Sequence, residues 1–341
     1  MSKKFIYLIG LLISVGGVLG YNYYQKIFGK AINQDSILFI KSTDSLIDIQ
    51  EKIVGYSKSK DNFLWVASKK NFSKPQTGRY IIKKGMSNND LVNMFRSGNQ
   101  TPLKISFNNQ DTLEKFASRI GDQLEIDSLE VIRSFTNPHF LKENKLTKKS
   151  VLQICIPNTY EFYWTTSADK LRDNLLKYYK RFWNASRLQK AKALKLSKSQ
   201  VITLASIVQK ETAKKEERPI VAGLYLNRLK NGWPLQADPT IIYCIKELKG
   251  QDYIVKRVLN VDLKIDSPYN TYKRKGLPPT LIAMPDISSI DGVLNAKKHD
   301  YYYMCVNIDK FGYHSFAKTL AQHNKNAAKY QKWLNKKGVI R

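Results

Sequence analysis

Glu211 closes a stretch in which Val201, Leu204 and Val208 precede it, the four falling at i, i+3, i+7 and i+10. In a helix this spacing puts all four on one face. A carboxyl group at the end of an apolar stripe is partly desolvated, which favours its neutral form and raises its pKa. A general acid working near neutral pH requires that shift. The same residues also allow a structural outcome, in which Glu211 reaches past the helix end and pairs with Lys214 or Lys215. Glu216 and Glu217 lie in a run with Lys214, Lys215 and Arg218 and read as solvated surface. Further on, Gln236, Asp238 and Thr240 are short polar groups beside this segment, and turn chemistry alone also accounts for Asp-Pro. Asn270, Thr271 and Tyr272 offer hydrogen-bonding groups, and His314 is a candidate partner for an acid or a hydroxyl. His323 shares a helical register with Leu320, Ala327 and Tyr330 and reads as a core or boundary histidine. Four histidines without HExxH or paired-ligand spacing argue against a metal site. No Walker or dinucleotide glycine motif is present, so no cofactor is expected.

The elements that hold these residues are marked by their ends. Ser197 and Gln200 have capping-box spacing and start the helix that Glu211 ends. Pro219 suits the first turn of a second helix, and Asn231-Gly232 suits its end. Pro239 then holds Asp238 in an extended or turn conformation. The core motif, residues 197–240, therefore reads as helix, charged turn, helix and Pro-bounded loop.

The stretch ASIVQKETAKKEERPIVAGLYLNRLKNGWPLQADPTIIY resembles the core motif of the endolytic murein transglycosylases, the MltG or YceG-like family. The resemblance continues through SPYNTYKRKGLPPTLIAMP, Ser267 to Pro285, and HSFAKTLAQHN, His314 to Asn324. It implies that Glu211, the glutamate of the KE pair, is the catalytic acid; an earlier family glutamate is Gln209 here. It also implies substrate or supporting roles for Gln236, Asp238 and Thr240, where Ala237 replaces the family threonine, and adds weight to His314 and Asn324. The segment IPNTYEFYW, Ile156 to Trp164, matches the family more loosely, with Leu152, Gln153 and Asn158 departing from its pattern. Tyr160, Phe162 and Trp164 fit a sugar groove, although core packing is the commoner fate of such a cluster.

A chain of 341 residues is long enough for two domains or one large elaborated one. Its formal net charge of +29 favours polyanionic partners, anionic lipid or an acidic wall polymer among them. The basic residues are spread out, and no RNP1 pattern or zinc-finger spacing appears, so nucleic acid is not the expected partner. After residues 1–4, the uncharged run 5–24 is about long enough to span a bilayer, with Tyr21, Tyr23 and Tyr24 as an interfacial belt. A poor cleavage site favours an anchor over a signal peptide. Lys3 and Lys4 place the N-terminus inside, and the resemblance implies that the bulk of the chain lies outside the cytoplasmic membrane. Cys155, Cys244 and Cys305 read as packing residues.

The expected fold class is α+β: a membrane helix, a small module over 31–107, then a mixed α+β catalytic region over 108–341. In the module, IDIQEKIV and DNFLWVASKK have helical patterning. RYIIKK and PLKISF read as strands, and MSNNDLVNMFRSG reads as a capped helix ending at Gly98. This module resembles the LysM-like subdomain of the family. TLEKFASRIGDQL and SLEVIRSF continue as helices. KLRDNLLKYYKRFWNASRLQKAKAL reads as one long basic helical region, YYYMCV as a strand, and KYQKWLNKKGVIR as a basic helix end and tail.

One acid in the core fits a lytic transglycosylase, because its nucleophile is internal to the substrate. The resemblance implies cleavage between N-acetylmuramic acid and N-acetylglucosamine in nascent peptidoglycan strands, leaving a 1,6-anhydro end. It also implies contact with peptidoglycan synthases, the penicillin-binding proteins. The alternative is a non-enzymatic, membrane-anchored wall-binding or scaffold protein, resting on the LysM-like module, the charge and the departures at Leu152, Gln153 and Gln209.

Overall fold

A computed structural model describes residues 3–58 and 61–336. It opens with helix α1 (Lys3–Phe28), apolar and exposed along its length, and long enough to cross a membrane. The chain then divides into two compact units. The first takes the chain up to Ile105 together with Gly121–Ile126 and Tyr160–Ser167; the second takes Ser106–Ile120, Asp127–Thr159 and the chain from Ala168 on.

In the first unit, β1 (Ser36–Ile40) pairs antiparallel with β2 (Gly78–Ile82), Ser36 opposite Ile82 and Ile40 opposite Gly78. Sequence patterning had not marked β1, a short run of four apolar residues after Ser36 with no polar–apolar alternation. Helices α2 (Leu46–Val54), α3 (Asn62–Lys69) and α4 (Asn88–Ser97) complete the unit. Ser45 with Asp48 and Ser87 with Asp90 form capping boxes, each satisfying orphan helix-start N–H groups. Gly98 stops α4 in the left-handed region, at φ +66°, as expected of a glycine there. Ile40, Ile49, Phe63, Tyr80 and Phe95 are fully buried at the centre. The C-terminal end of α1 rests on this unit: Tyr23 meets the Trp65 ring edge-on at 5.0 Å, and Asn88 donates to the Lys26 carbonyl at 3.0 Å.

β3 (Leu103–Phe107) pairs with β4 (Asn158–Phe162). Tyr160, Phe162 and Trp164 are buried, and Trp164 packs edge-on against Phe39 at 5.1 Å. These aromatics pack in the core.

The second unit contains α5 (Leu113–Gly121), α6 (Ser128–Phe135), α7 (Pro138–Glu143), α8 (Ala168–Phe182) and α9 (Ala185–Ala193). The long basic stretch is thus two helices. Trp183 and Asn184 break it, and the Asn184 side chain caps α9 by accepting from the Arg187 N–H at 3.0 Å. Then come α10 (Lys198–Glu211), α11 (Arg218–Lys230), α12 (Asp238–Lys249) and α13 (Ile287–Leu294). β5 (Tyr303–Val306) and β6 (His314–Ala317) form an antiparallel hairpin with Val306 opposite His314, on which α14 (Leu320–Lys336) packs. The expected tail beyond residue 336 lies outside the described residues.

α10 begins at the Ser197–Gln200 capping box as its spacing predicted. It is not amphipathic, however. Every residue from Val201 to Val208 is buried, because α9, α11, α12 and α13 surround it. Ser206 survives there because its hydroxyl donates to Thr203 O at 2.7 Å and accepts from the Ile282 N–H at 3.1 Å. Asp238 is also helical rather than in a loop: Ala237 is the cap, and Pro239 fills a first-turn position whose N–H has no helical partner.

Candidate active site

Glu211 is the last residue of the buried helix α10, where apolar walls give way to polar groups. It is half-buried. The Tyr225 hydroxyl, from the middle of α11, donates to Glu211 Oε1 at 2.6 Å. Among the described residues Glu211 makes no ion pair with Lys214 or Lys215; Lys214 instead lies over the Tyr313 ring, 5.2 Å from its centroid. Burial pushes the Glu211 carboxyl up to about 7. The Tyr225 hydrogen bond and the charges of His314 and Arg228 pull it down, while Asp238 pushes it further up. The group is therefore a neutral acid that ionises close to physiological pH.

His314 begins β6. Its Nδ1 lies 2.9 Å from Glu217 Oε2, and its backbone N–H donates to Glu217 Oε1 at 2.7 Å. Glu217 is buried at 3% exposure, although its sequence neighbourhood suggested a solvated surface. Burial raises its pKa, but the His314 ring, the His314 N–H and the Thr212 hydroxyl outweigh burial and leave it below the ordinary value. For His314, burial disfavours the cation, yet Glu217 and then Glu211 leave its pKa raised. Glu216, by contrast, is exposed and accepts a hydrogen bond from Tyr313.

Asp238 is exposed at the start of α12 and accepts from the Tyr272 hydroxyl at 2.5 Å. Gln236 is exposed too, held at φ +48° by the bond from its N–H to the Thr271 carbonyl at 3.0 Å. Thr240, Asn270 and Thr271 are buried and bonded to protein. The Ala237 N–H donates to Thr271 Oγ1 at 3.0 Å. Thr240 Oγ1 lies 2.8 Å from Thr271 Oγ1 and donates to Ala237 O at 2.7 Å. Asn270 donates to the Leu263 and Ile265 carbonyls and accepts from the Tyr272 N–H at 2.9 Å. Together they clasp the start of α12 to the 270–272 turn and so position Asp238 and Tyr272. Asn324 stands exposed on α14. His323 stacks on Tyr303 at 5.3 Å, its pKa lowered by burial and by the charge of Arg228.

Sequence reasoning missed Tyr225, Glu217 and Arg228. Tyr225 lies in a helix whose residues are buried on most sides, so its spacing resembles core. Glu217 had one usable signal, its place just before Pro219 at a helix start, where anions are favoured. Arg228 is buried, its guanidinium donating to the Tyr302 and Leu235 carbonyls at 2.8 and 2.5 Å. Gln209, where the resemblance expects a glutamate, accepts from the Asp286 N–H at 2.7 Å and from Ser289 Oγ at 2.8 Å. It thus fixes the start of α13, a task for an acceptor that an amide oxygen performs. Among the described residues no group of three or more His, Cys, Asp or Glu is arranged to hold a metal ion.

Comparison with known proteins gives the family. An endolytic murein transglycosylase of Bacillus subtilis strain 168 is 31% identical over 296 residues, covering 82% of this chain and 80% of the relative. One from Streptococcus pneumoniae serotype 2 is 26% identical over 360 aligned positions, covering 94% of this chain and 63% of the longer relative. The crystal structure of a yceG-like protein from Listeria monocytogenes superposes with a TM-score of 0.56 at 27% identity, covering 86% of this chain and 99% of that one. Residues 38–329 match the YceG-like family, and the chain belongs to it.

Proposed function

We propose that the chain is an endolytic peptidoglycan lytic transglycosylase, a lyase with Glu211 as its acid and base. The observation that carries this reading is a half-buried carboxyl at about 7, with one oxygen held by Tyr225 and a cation beside it. Tyr225 occupies Oε1, which leaves Oε2 to carry the proton. Protonated Glu211 gives that proton to the glycosidic oxygen between N-acetylmuramic acid and N-acetylglucosamine. The bond breaks, and its electron pair stays with the departing oxygen. The muramyl 6-hydroxyl then attacks the anomeric carbon and closes the 1,6-anhydro ring, and the Glu211 carboxylate takes its proton. No water is consumed, and intramolecular attack supplies the effective molarity. Asp238, held by Tyr272, supplies negative charge toward the developing oxocarbenium ion. The curated relatives support the reading, since both carry the name endolytic murein transglycosylase.

In this reading α1 anchors the protein in the cytoplasmic membrane, with the N-terminus inside and the two units outside. The 31–107 segment is a LysM-like module that helps position glycan, and peptidoglycan synthases are the partners that supply nascent strands. Gln236 and Asn324, both exposed, remain substrate contacts in this proposal.

The test is mass spectrometry of uncrosslinked glycan strands incubated with the detergent-solubilised full chain, wild type beside Glu211→Gln. New 1,6-anhydromuramyl ends from wild type only are expected. Reducing ends would instead make the protein a hydrolase, and bound but uncut glycan would make it a scaffold.

A further inference from the structure

We infer that Glu217 is a positioning residue for this reaction: it holds the His314 imidazolium beside Glu211, where the cation meets the carboxylate formed when the acid gives up its proton. The inference rests on the reading of Glu211 as that acid.

The geometry is that of a junction. Glu217 and His314 lie 97 residues apart and make two contacts, one to the ring and one to the backbone, at 2.9 and 2.7 Å. The Thr212 hydroxyl, from the residue after Glu211, also bonds to Glu217. The Glu217 carbonyl accepts the Ile220 and Val221 N–H groups that begin α11. One buried residue therefore ties the end of α10 and the start of β6 through its side chain and the start of α11 through its carbonyl. A carboxylate at 3% exposure needs a positive partner or N–H donors, and here it has both.

The electrostatic consequence follows from where the charges stand. His314 faces Glu217 from the start of α11 and Glu211 from the end of α10. Glu211 in turn faces Tyr225 and Arg228 of α11 and Asp238 of α12. Outside this group, Tyr313 bonds to Glu216, with Lys214 and Lys310 over its ring. Before reaction Glu211 is neutral, because burial raises its pKa by more than the His314 cation lowers it. After proton transfer Glu211 is an anion beside an imidazolium already in place, which lowers the cost of forming it without reorganisation. With Nδ1 committed to Glu217, the Nε2 proton is what the ring has left for the acid or the substrate.

The experiment combines two readouts on the full chain in detergent: the 15N titration of His314 and the pH dependence of anhydro-end formation. Wild-type His314 should stay imidazolium above the ordinary histidine value of 6.5. In Glu217→Gln its midpoint should fall by about one unit. The alkaline limb of kcat, which reports Glu211, should move up by about half a unit. At pH values where His314 keeps its proton in wild type but has lost it in Glu217→Gln, kcat should drop about three-fold, the same half-unit coupling read as a rate, with KM nearly unchanged. Glu217→Asp should recover part of the loss, and Glu217→Gln combined with His314→Gln should be no worse than His314→Gln alone. An active Glu217→Gln enzyme with an unmoved His314 titration and alkaline limb would reduce Glu217 to a structural residue. Wild-type His314 titrating at or below the ordinary value would do the same without any variant. Wild type that forms no anhydro ends overturns the transglycosylase reading and this role with it.

Discussion

At the scale of single residues, Glu211 sits where activity and stability conflict. Its pKa rises from an unfolded value of 4.5 to about 7, so between those pH values the folded chain holds a proton the unfolded chain has lost. Stability therefore falls as pH rises through that window. Glu211→Gln has no such loss. Its stability relative to wild type should grow by about 2 kcal/mol between pH 5 and pH 8, a Tm difference of roughly 4–8 °C. Thermal unfolding at the two pH values measures this; an equal offset at both would show that the carboxyl is ordinary. Tyr225→Phe removes a donor that favours the ionised acid. The Glu211 pKa must then rise, and the alkaline limb of the rate profile should move up by about one pH unit. An unchanged limb would mean that the hydrogen bond does not form in solution.

At the scale of elements, the site depends on how closely α11 and the 236–240 segment are seated. A Cβ on Gly223 of α11 would lie 2.3 Å from the Lys297 carbonyl oxygen and 2.7 Å from His299 Nε2. The helix would have to retreat, and it carries both Tyr225 and Arg228. Gly223→Ala should cost about 1–3 kcal/mol in urea unfolding and lower kcat as well. Thr271→Val keeps the shape of the buried clasp but leaves the Ala237 N–H without its acceptor. A loss of roughly 1–3 kcal/mol is expected, with lower kcat because Asp238 drifts, while the pH limb set by Glu211 stays in place. A shifted limb would mean that the clasp acts on the acid directly.

At the scale of the whole molecule, the apolar helix and the charge act together. Most of α1 is exposed, and its C-terminal end touches the rest of the first unit through Tyr23 and Lys26 against Trp65 and Asn88. Deleting residues 2–20 should therefore release the protein from membranes with Tm unchanged within about 2 °C, whereas deleting 2–30 should lower Tm and red-shift tryptophan emission as Trp65 is uncovered. Equal Tm values for the two truncations would show that the contact contributes nothing. The net charge of +29 adds long-range attraction to anionic surfaces, a contribution that salt screens within about 8 Å at physiological ionic strength.

The sequence by itself determined what short-range rules govern. Ser197 and Gln200 stand three apart, so their capping box fixes where α10 starts, and helical spacing then puts Glu211 at its end. The apolar run of α1, the Gly98 stop and most helices and strands of both units were legible for the same reason: their signals lie within one or two turns of chain. Only the tertiary structure decided the partners. Gln209 meets Asp286 across 77 residues and Glu217 meets His314 across 97, and no local pattern encodes either. Burial was decided in the same way. Glu217 sits in a charge run that reads as solvent-facing, and Asn270 and Thr271 read as substrate contacts, yet packing of distant segments closed over all three. Whether a polar group binds substrate or braces a loop depends on which segments meet around it, and that is a property of the fold.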